Sequence, residues 1–402
     1  MIKKILILGA GLEQSLAIKE AKRLNYFVIA CDSNPNAFGF QFSDISYVID
    51  INNVDEIYLI GLKHNINGIF THAVEIPHIV SKVAEKLNLP CLSFQKADRA
   101  TNKSKRIERL TKCNIPCAKY IHVKNENSLL DSANKIGFPL VIKPIDNAGS
   151  RGVCLVEKES ELKVAFEEAV RFSKIKEVLL EEVLNGPEIS TESIVYNGKI
   201  HTFAFADRNY NKKEIFKPFF IEDGINFPSL ISQELQTKIL ELVEKTIKCL
   251  EIDFGAAKGD IIIDNGIPKI IEMAARTSGG WFGAGSMYFA TGANMLEPLI
   301  QMSVGDEPNM NSFEIKRNLG CAQRYIIPQV DGIVESIEGT DNLEKMPGVE
   351  MSVLFLPKIG EKIKKATNHA ERFGQIICTA QTREEAIRLC ENVIQKVKIN
   401  LK

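Results

Sequence analysis

Residues 137–153 read GFPLVIKPIDNAGSRGV, and residues 259–276 read GDIIIDNGIPKIIEMAAR. In the first stretch an apolar run delivers Lys143 to the edge of a loop built from Asn147, Gly149, Ser150 and Gly152, with Arg151 among them. Small residues leave backbone N–H groups free to cradle phosphate oxygens, and a lysine there adds a compact positive charge. A plain hairpin loop explains the glycines but not a strand that ends in Lys-Pro before so many small residues and an arginine. In the second stretch Asp264-Asn265-Gly266 is a hairpin turn between two strand-like runs. Antiparallel pairing across that turn sets Asp260 beside Glu272, 12 residues further on. Two neighbouring carboxylates repel unless a hard cation bridges them, and magnesium with phosphate oxygens is the natural occupant. A solvated acidic pair is the alternative.

The first 90 or so residues alternate short apolar runs with helical spacing: KILIL, FVIAC and GIF are separated by helical patterns at 13–24 and 54–63, and a third follows at 77–87. That is a doubly wound parallel α/β unit. Gly9-Ala10-Gly11 follows its first strand and Asp32 closes its second, as in a dinucleotide site, but Gln14 stands where the third glycine belongs. A structural turn is the preferred reading. A small α+β lobe follows from about residue 96, with strands at 140–143, 153–156 and 178–182 and a helix at 160–172. VLLEEVLNGPE, residues 178–188, leaves that lobe through a Gly-Pro hinge against which a base can sit. Beyond it the pattern becomes antiparallel: strands at 189–195 and 199–206 flank Asn197-Gly198, and a helix at 232–250 covers the sheet. Residues 317–402 hold strands near 321–327 and 375–379 and a closing helix at 383–396.

A chain of 402 residues exceeds one core, so two to three domains are expected. Lys+Arg at 50 almost cancels Asp+Glu at 51, which argues against a nucleic-acid or membrane-surface partner. No apolar run reaches the ~18 residues of a membrane span. The nine cysteines are odd in number and form no CxxC pair, so they read as thiols in a reducing compartment, and Cys113 and Cys117 as incidental rather than metal-binding. The cytoplasm is the expected location.

Taken in order, these stretches resemble the ATP-grasp superfamily over nearly the whole chain. IKPIDNAGSRGV and IIEMAARTSGG look most like amino-acid ligases and the large subunit of carbamoyl-phosphate synthase. The resemblance implies a pre-ATP-grasp α/β domain at 1–95, a small lobe with its linker helix at 96–183, a large lobe with the magnesium site at 184–312, and a C-terminal α+β segment at 313–402. It implies ATP with magnesium, or manganese in its place. Lys103 and Lys143 would bind the phosphates beneath the loop of Asn147, Gly149, Ser150, Arg151 and Gly152. Glu181, Glu182 and Val183 would meet the adenine, Glu188 the ribose, Asp260 and Glu272 the metal, and Arg276 the transferring phosphoryl group. Relatives carry asparagine two residues after the metal glutamate, whereas this chain has Ala274, which leaves the number of metal ions open.

The reaction so implied joins a small carboxylate to an amine through an acyl phosphate, cleaving ATP to ADP and phosphate. A carbamoyl-phosphate-type or carboxylating enzyme, and a nucleotide-binding module without chemistry, are the rival readings. Gly279, Gly280 and Trp281 line the acceptor pocket, unless the tryptophan is a core residue. Glu75, His201, Asp207 and Arg208 face the same cleft in the family arrangement, where they can hold an ammonium or carboxylate. The partners are small molecules, and assembly as a homodimer is left open.

Overall fold

The computed structural model describes residues 2–402. Its first sheet is parallel, with Lys4–Leu8 central, Phe27–Asp32 and Gly68–Thr71 beside it, and Ile45–Val48 outermost. The central strand is apolar on both faces because both are covered. Leu6 and Leu8 pack with Ile57, Ile60 and Val83 on one side, while Ile5 and Ile7 pack with Ala17, Ile18 and Ala21 on the other. That second cluster also contains Leu296, Ile300 and Val304, so the helix Leu296–Ser303, from far along the chain, shares the core of the first sheet.

The small lobe is an antiparallel sheet ordered Tyr120–Val123, Val178–Glu182, Leu140–Pro144, Cys154–Val156. The largest sheet has eight strands, beginning with the hairpin Ile267–Ala274 and Gly255–Asp264, continuing through Glu188–Tyr196, Lys199–Asn209 and Gly224–Phe227, and ending with Gly320–Ile326, Gly374–Ala380 and Val349–Leu354. Strands of the last segment therefore extend the large-lobe sheet edge to edge. A separate three-stranded sheet of Lys362–Ile363, Gly332–Glu338 and Lys398–Leu401 has no counterpart in the sequence reading, since these strands bury few residues and lack a clear alternation.

The helix Gln233–Leu250 starts at Ser232, whose side chain accepts from the Leu235 backbone N–H at 3.3 Å. Its stripe of Ile239, Leu242, Val243, Ile247 and Leu250 packs on Ile261, Ile263, Ile270 and Met273. Period two then directs Lys258, Asp260 and Ile262 to the opposite face, which lines a cleft. Cys113 and Cys249 form a disulfide between the ends of two helices, with 6.2 Å between Cα atoms and 136 residues between them in sequence. That corrects the reading of Cys113 as an incidental thiol, a pairing that no local spacing announces. Among the described residues no helix is long and apolar enough to cross a membrane.

Gly68 joins the first sheet to the large lobe: a Cβ at this position would lie 2.2 Å from the Ser303 carbonyl oxygen and 2.8 Å from Val304 Cγ1. Gly68→Ala should lower the unfolding free energy by about 1–3 kcal/mol through overpacking. The check is a fall in the urea midpoint with an unchanged slope; a midpoint equal to the parent's would show that this contact is loose.

Candidate functional site

A cleft of about 780 Å³ opens between the small-lobe sheet and the eight-stranded sheet, with the first sheet's loops at one end. On the small-lobe side Lys143 is buried, and its Nζ lies 2.6 Å from Glu181 Oε2. The other oxygen, Glu181 Oε1, is buried without a partner. Lys103 begins the helix Lys103–Lys112, capped by Asn102, and its Nζ donates to the Asn147 carbonyl. Burial is the main influence on this ammonium and pushes its pKa down to about 8, with Glu272 pulling the other way.

The loop of small residues turns sharply, with Gly149, Ser150 and Gly152 all at positive φ. Asn147 and Asp146 pin it to the segment after the helix Glu159–Arg171: Asn147 Nδ2 donates to the Phe172 carbonyl at 2.8 Å, and Asp146 Oδ2 accepts from Lys174 N at 2.8 Å. Its outer side meets the C-terminal segment where His369 N donates to the Gly149 carbonyl at 3.1 Å.

On the large-lobe side Asp260 and Glu272 are cross-strand partners; the turn alone would set Asp260 opposite Ile271, and a register shift between Asp260 and Ile261 brings Glu272 there instead. Asp260 pairs with Lys258 and with Arg208 Nη1 at 2.7 Å, and its Oδ1 accepts from Ser190 Oγ at 3.0 Å. Glu272 lies 3.2 Å from Lys258 Nζ and 3.3 Å from Arg106 Nη2. Burial opposes ionisation of both, but for Asp260 the charges of Arg208 and Lys258 outweigh it. Lys258, Arg106, Lys103 and Arg276 do the same for Glu272, which is held well below the usual carboxylate range.

The strand carrying Glu272 runs on into Arg276, whose guanidinium pairs with Glu75 from the first domain. Ala73 N donates to Thr277 Oγ1 at 2.9 Å. Glu13 reaches from the loop after the first strand and accepts from Trp281 N at 2.7 Å and Gly280 N at 3.2 Å. Those bonds hold Trp281 at φ +58, in the left-handed region that bulky side chains avoid. Trp281 lines the cleft and also packs with Phe282, Met287 and Ile377, so both readings of this residue describe part of its surface.

Lys103, Lys143, Asn147, Gly149, Ser150, Arg151, Glu181, Glu182, Glu188, Asp260, Glu272 and Arg276 all line this cleft, as do Glu75, Arg208, Gly279, Gly280 and Trp281. Four expected residues do not. Gly152 packs against the Ala169 backbone and Phe172, and Leu184 lines the cleft where Val183 was expected. His201 is exposed near the Asn197-Gly198 turn. Asp207 precedes Arg208 on one strand, so only one of them can face the cleft; Asp207 turns away to pair with Arg383 at 2.7 Å and with Ser229. In the Gly9-Ala10-Gly11 turn Ala10 N donates to Asp32 Oδ2 at 2.7 Å.

Several cleft residues escape the sequence reading. Lys258 had a signal, since it lies two positions before Asp260 on the same strand. Glu13, Arg106, Tyr325, His369, Arg372 and Gln375 had none, because only tertiary folding brings them in. Arg372 stacks 3.6 Å from the Tyr325 ring centre and sits 3.5 Å from Glu222, which Arg208 also holds at 3.0 Å. Arg208 Nε, Arg372 Nε, Ser278 Oγ and Gln375 Nε2 are buried without partners.

A family model described as an ATP-grasp domain matches residues 100–280, and one described as L-amino acid ligase C-terminal domain 2 matches residues 324–402. The chain is 21% identical over 390 residues to an uncharacterized protein of Sinorhizobium fredii, covering 94% of this chain and 79% of that one. A formate-dependent phosphoribosylglycinamide formyltransferase of Prochlorococcus marinus is 34% identical over 190 residues, 46% of this chain and 48% of the relative. The match thus spans about half the length of that relative. Among solved structures, an L-amino acid ligase from Bacillus licheniformis superposes with a TM-score of 0.85 at 22% identity, covering 100% of this chain and 99% of the other. Phosphoribosylglycinamide synthetase from Anaerococcus prevotii gives 0.76 at 24% identity, with 100% of each covered. At such identities the structural likeness establishes the fold.

Glu192, fully buried on the strand Glu188–Tyr196, accepts from Ser278 N at 2.9 Å, and burial lifts its pKa from 4.5 to about 7. Between those two values the native state keeps a proton that the unfolded chain has released, so this carboxyl costs stability progressively as pH rises from 4.5 to about 7. Glu192→Gln removes the effect and can still accept from Ser278. Relative to the parent, the variant should gain on the order of 2 kcal/mol between pH 5 and pH 8. Denaturant melts at the two pH values test this, and a pH-independent difference would refute it.

Proposed function

We propose that this chain, a member of the ATP-grasp superfamily, is an ATP-dependent carboxylate–amine ligase working through an acyl phosphate. The observation that carries this reading is the convergence of Lys103 and Lys143 from one lobe with Asp260, Glu272 and Arg276 from the other around one cleft. Catalysis on such a site is mostly positioning and charge neutralisation.

On this reading Lys103 and Lys143 hold the inner phosphates, and the loop of Asn147 to Arg151 covers them. Glu181 Oε1, buried and free, accepts from the exocyclic amine of the base, beside Leu184, and Glu188 takes the ribose hydroxyls. Asp260 and Glu272 fit magnesium or manganese, because they are hard oxygen donors side by side and kept ionised by their neighbours. The metal supplies charge neutralisation at the phosphates. A substrate carboxylate attacks the γ-phosphate, Arg276 stabilises the charge on the phosphoryl group and the acyl phosphate, and an amine then displaces phosphate.

An amino acid is the substrate class best supported. The acceptor end mixes acids, Glu13 and Glu75, with the guanidiniums of Arg276 and Arg372, which suits a zwitterion. The match of residues 324–402 to an amino-acid-ligase domain supports the same class. Formyl transfer is a second reading, favoured by the identity to the formyltransferase, and formate as the sole carboxylate distinguishes it.

Lys143→Ala and Glu272→Ala should each reduce ATP consumption by at least about 100-fold in folded protein. With amino acids as acid and amine, the products should be ADP and phosphate, and oxygen-18 in the substrate carboxylate should appear in the phosphate. Stoichiometric AMP, or phosphate without label, would overturn the mechanism. ATP turnover that needs formate would move the assignment to the second reading.

A further inference from the structure

Lys258 keeps Asp260 and Glu272 ionised, and it does so from between the two carboxylates. It stands two residues before Asp260, so both side chains point to the cleft. Directly opposite Lys258 across the hairpin is Ala274. Cross-strand partners share a face, so a single methyl group faces the lysine and leaves its chain room to extend. Its ammonium contacts both Asp260 and Glu272, and the residue is only 8% exposed. Ala274 also brings no oxygen to the site, and among the described residues no three His, Cys, Asp or Glu side chains are grouped to hold a metal.

Displacement at phosphorus often uses two divalent ions to share the charge of the attacking and leaving oxygens. We infer that Lys258 serves as the second cation here, so that the nucleotide complex takes one divalent ion per chain; the inference rests on the ligase reading of the cleft. The ammonium is covalently fixed, needs no ion from solution, and is placed by the same strand that places Asp260. Arg208 and Arg106 hold the two carboxylates from either side, so loss of the lysine alone leaves each with a cation.

The test is binding of Mn2+ to the full chain with a non-hydrolysable ATP analogue, followed by electron paramagnetic resonance and calorimetry. One Mn2+ per chain is expected. The double variant Lys258→Ala, Ala274→Asp, which exchanges the ammonium for a third carboxylate, should bind two. Lys258→Met, shown to be folded by circular dichroism, should bind the analogue about 10-fold more weakly at saturating Mn2+. Two ions per chain in the parent, one in the folded double variant, or unchanged affinity in Lys258→Met would each overturn the inference. A fluorescent ATP analogue monitors nucleotide binding separately. Its failure to bind the parent would overturn the ligase reading and this inference together, whereas binding with two ions per chain overturns this inference alone.

Discussion

Two carboxylates set opposite each other in a buried cleft cannot both stay charged unless cations stand beside them, and the centre of this molecule is organised by that requirement. Asp260 and Glu272 meet because a tight turn pairs the two strands of one hairpin and a bulge beside Asp260 then shifts their register by one residue. Their cations come from three elements: Lys258 from the same hairpin, Arg208 from the strand Lys199–Asn209, and Arg106 from the helix Lys103–Lys112. Satisfying the pair therefore ties the large sheet to the linker helix. The chain of charges continues from Arg208 to Glu222 and on to Arg372, so the C-terminal segment is connected to the same centre.

The first sheet, far from the loop 146–152 in sequence, fixes the other end of the cleft. Glu13 and Glu75 come from loops beyond the carboxyl ends of its parallel strands, where such sheets present their functional groups. Glu75 orients Arg276, and Glu13 binds the backbone of Gly280 and Trp281 in their left-handed conformations. A backbone at positive φ on a tryptophan persists only where surroundings over-determine it, and two N–H bonds to the one half-buried carboxylate of Glu13 do that. The shared core around Ile300 keeps the two units in fixed relation, so these contacts work as one rigid frame.

Much of this is legible in the chain because local chemistry specifies it. Asn197-Gly198 and Asp264-Asn265-Gly266 set two hairpins, but the second brings Asp260 opposite Glu272 only through a one-residue register shift beside Asp260 that the turn does not announce. Lys143 stands out by local chemistry too: an apolar strand ends on it. Where the sequence reading fails, the information is either present and unused or not local. Strand alternation already forbids Asp207 and Arg208 from facing the same way. Nothing local could link Cys113 to Cys249, or bring His369 and Arg372 to Gly149 and Glu222, because these meetings depend on how distant strands join one sheet.

Lys103 shows how the frame gives the cleft a direction. Arg208, Lys258 and Arg276 each have a carboxylate partner, and Lys143 has Glu181. Lys103 instead donates to the Asn147 backbone carbonyl, and burial weakens its hold on its proton. A charge stabilised by a neutral dipole gains more from an arriving anion than one already matched by a carboxylate, because no ion pair has to be broken. On the proposed reading the phosphates are therefore drawn first to the small-lobe wall, beneath the loop, and the terminal phosphate projects toward Asp260, Glu272 and Arg276. On that reading the orientation of the nucleotide would follow from an asymmetry in pairing: the wall whose Lys103 ammonium has no carboxylate in direct contact would take the inner phosphates, and the wall of ion-paired groups would receive the reacting group.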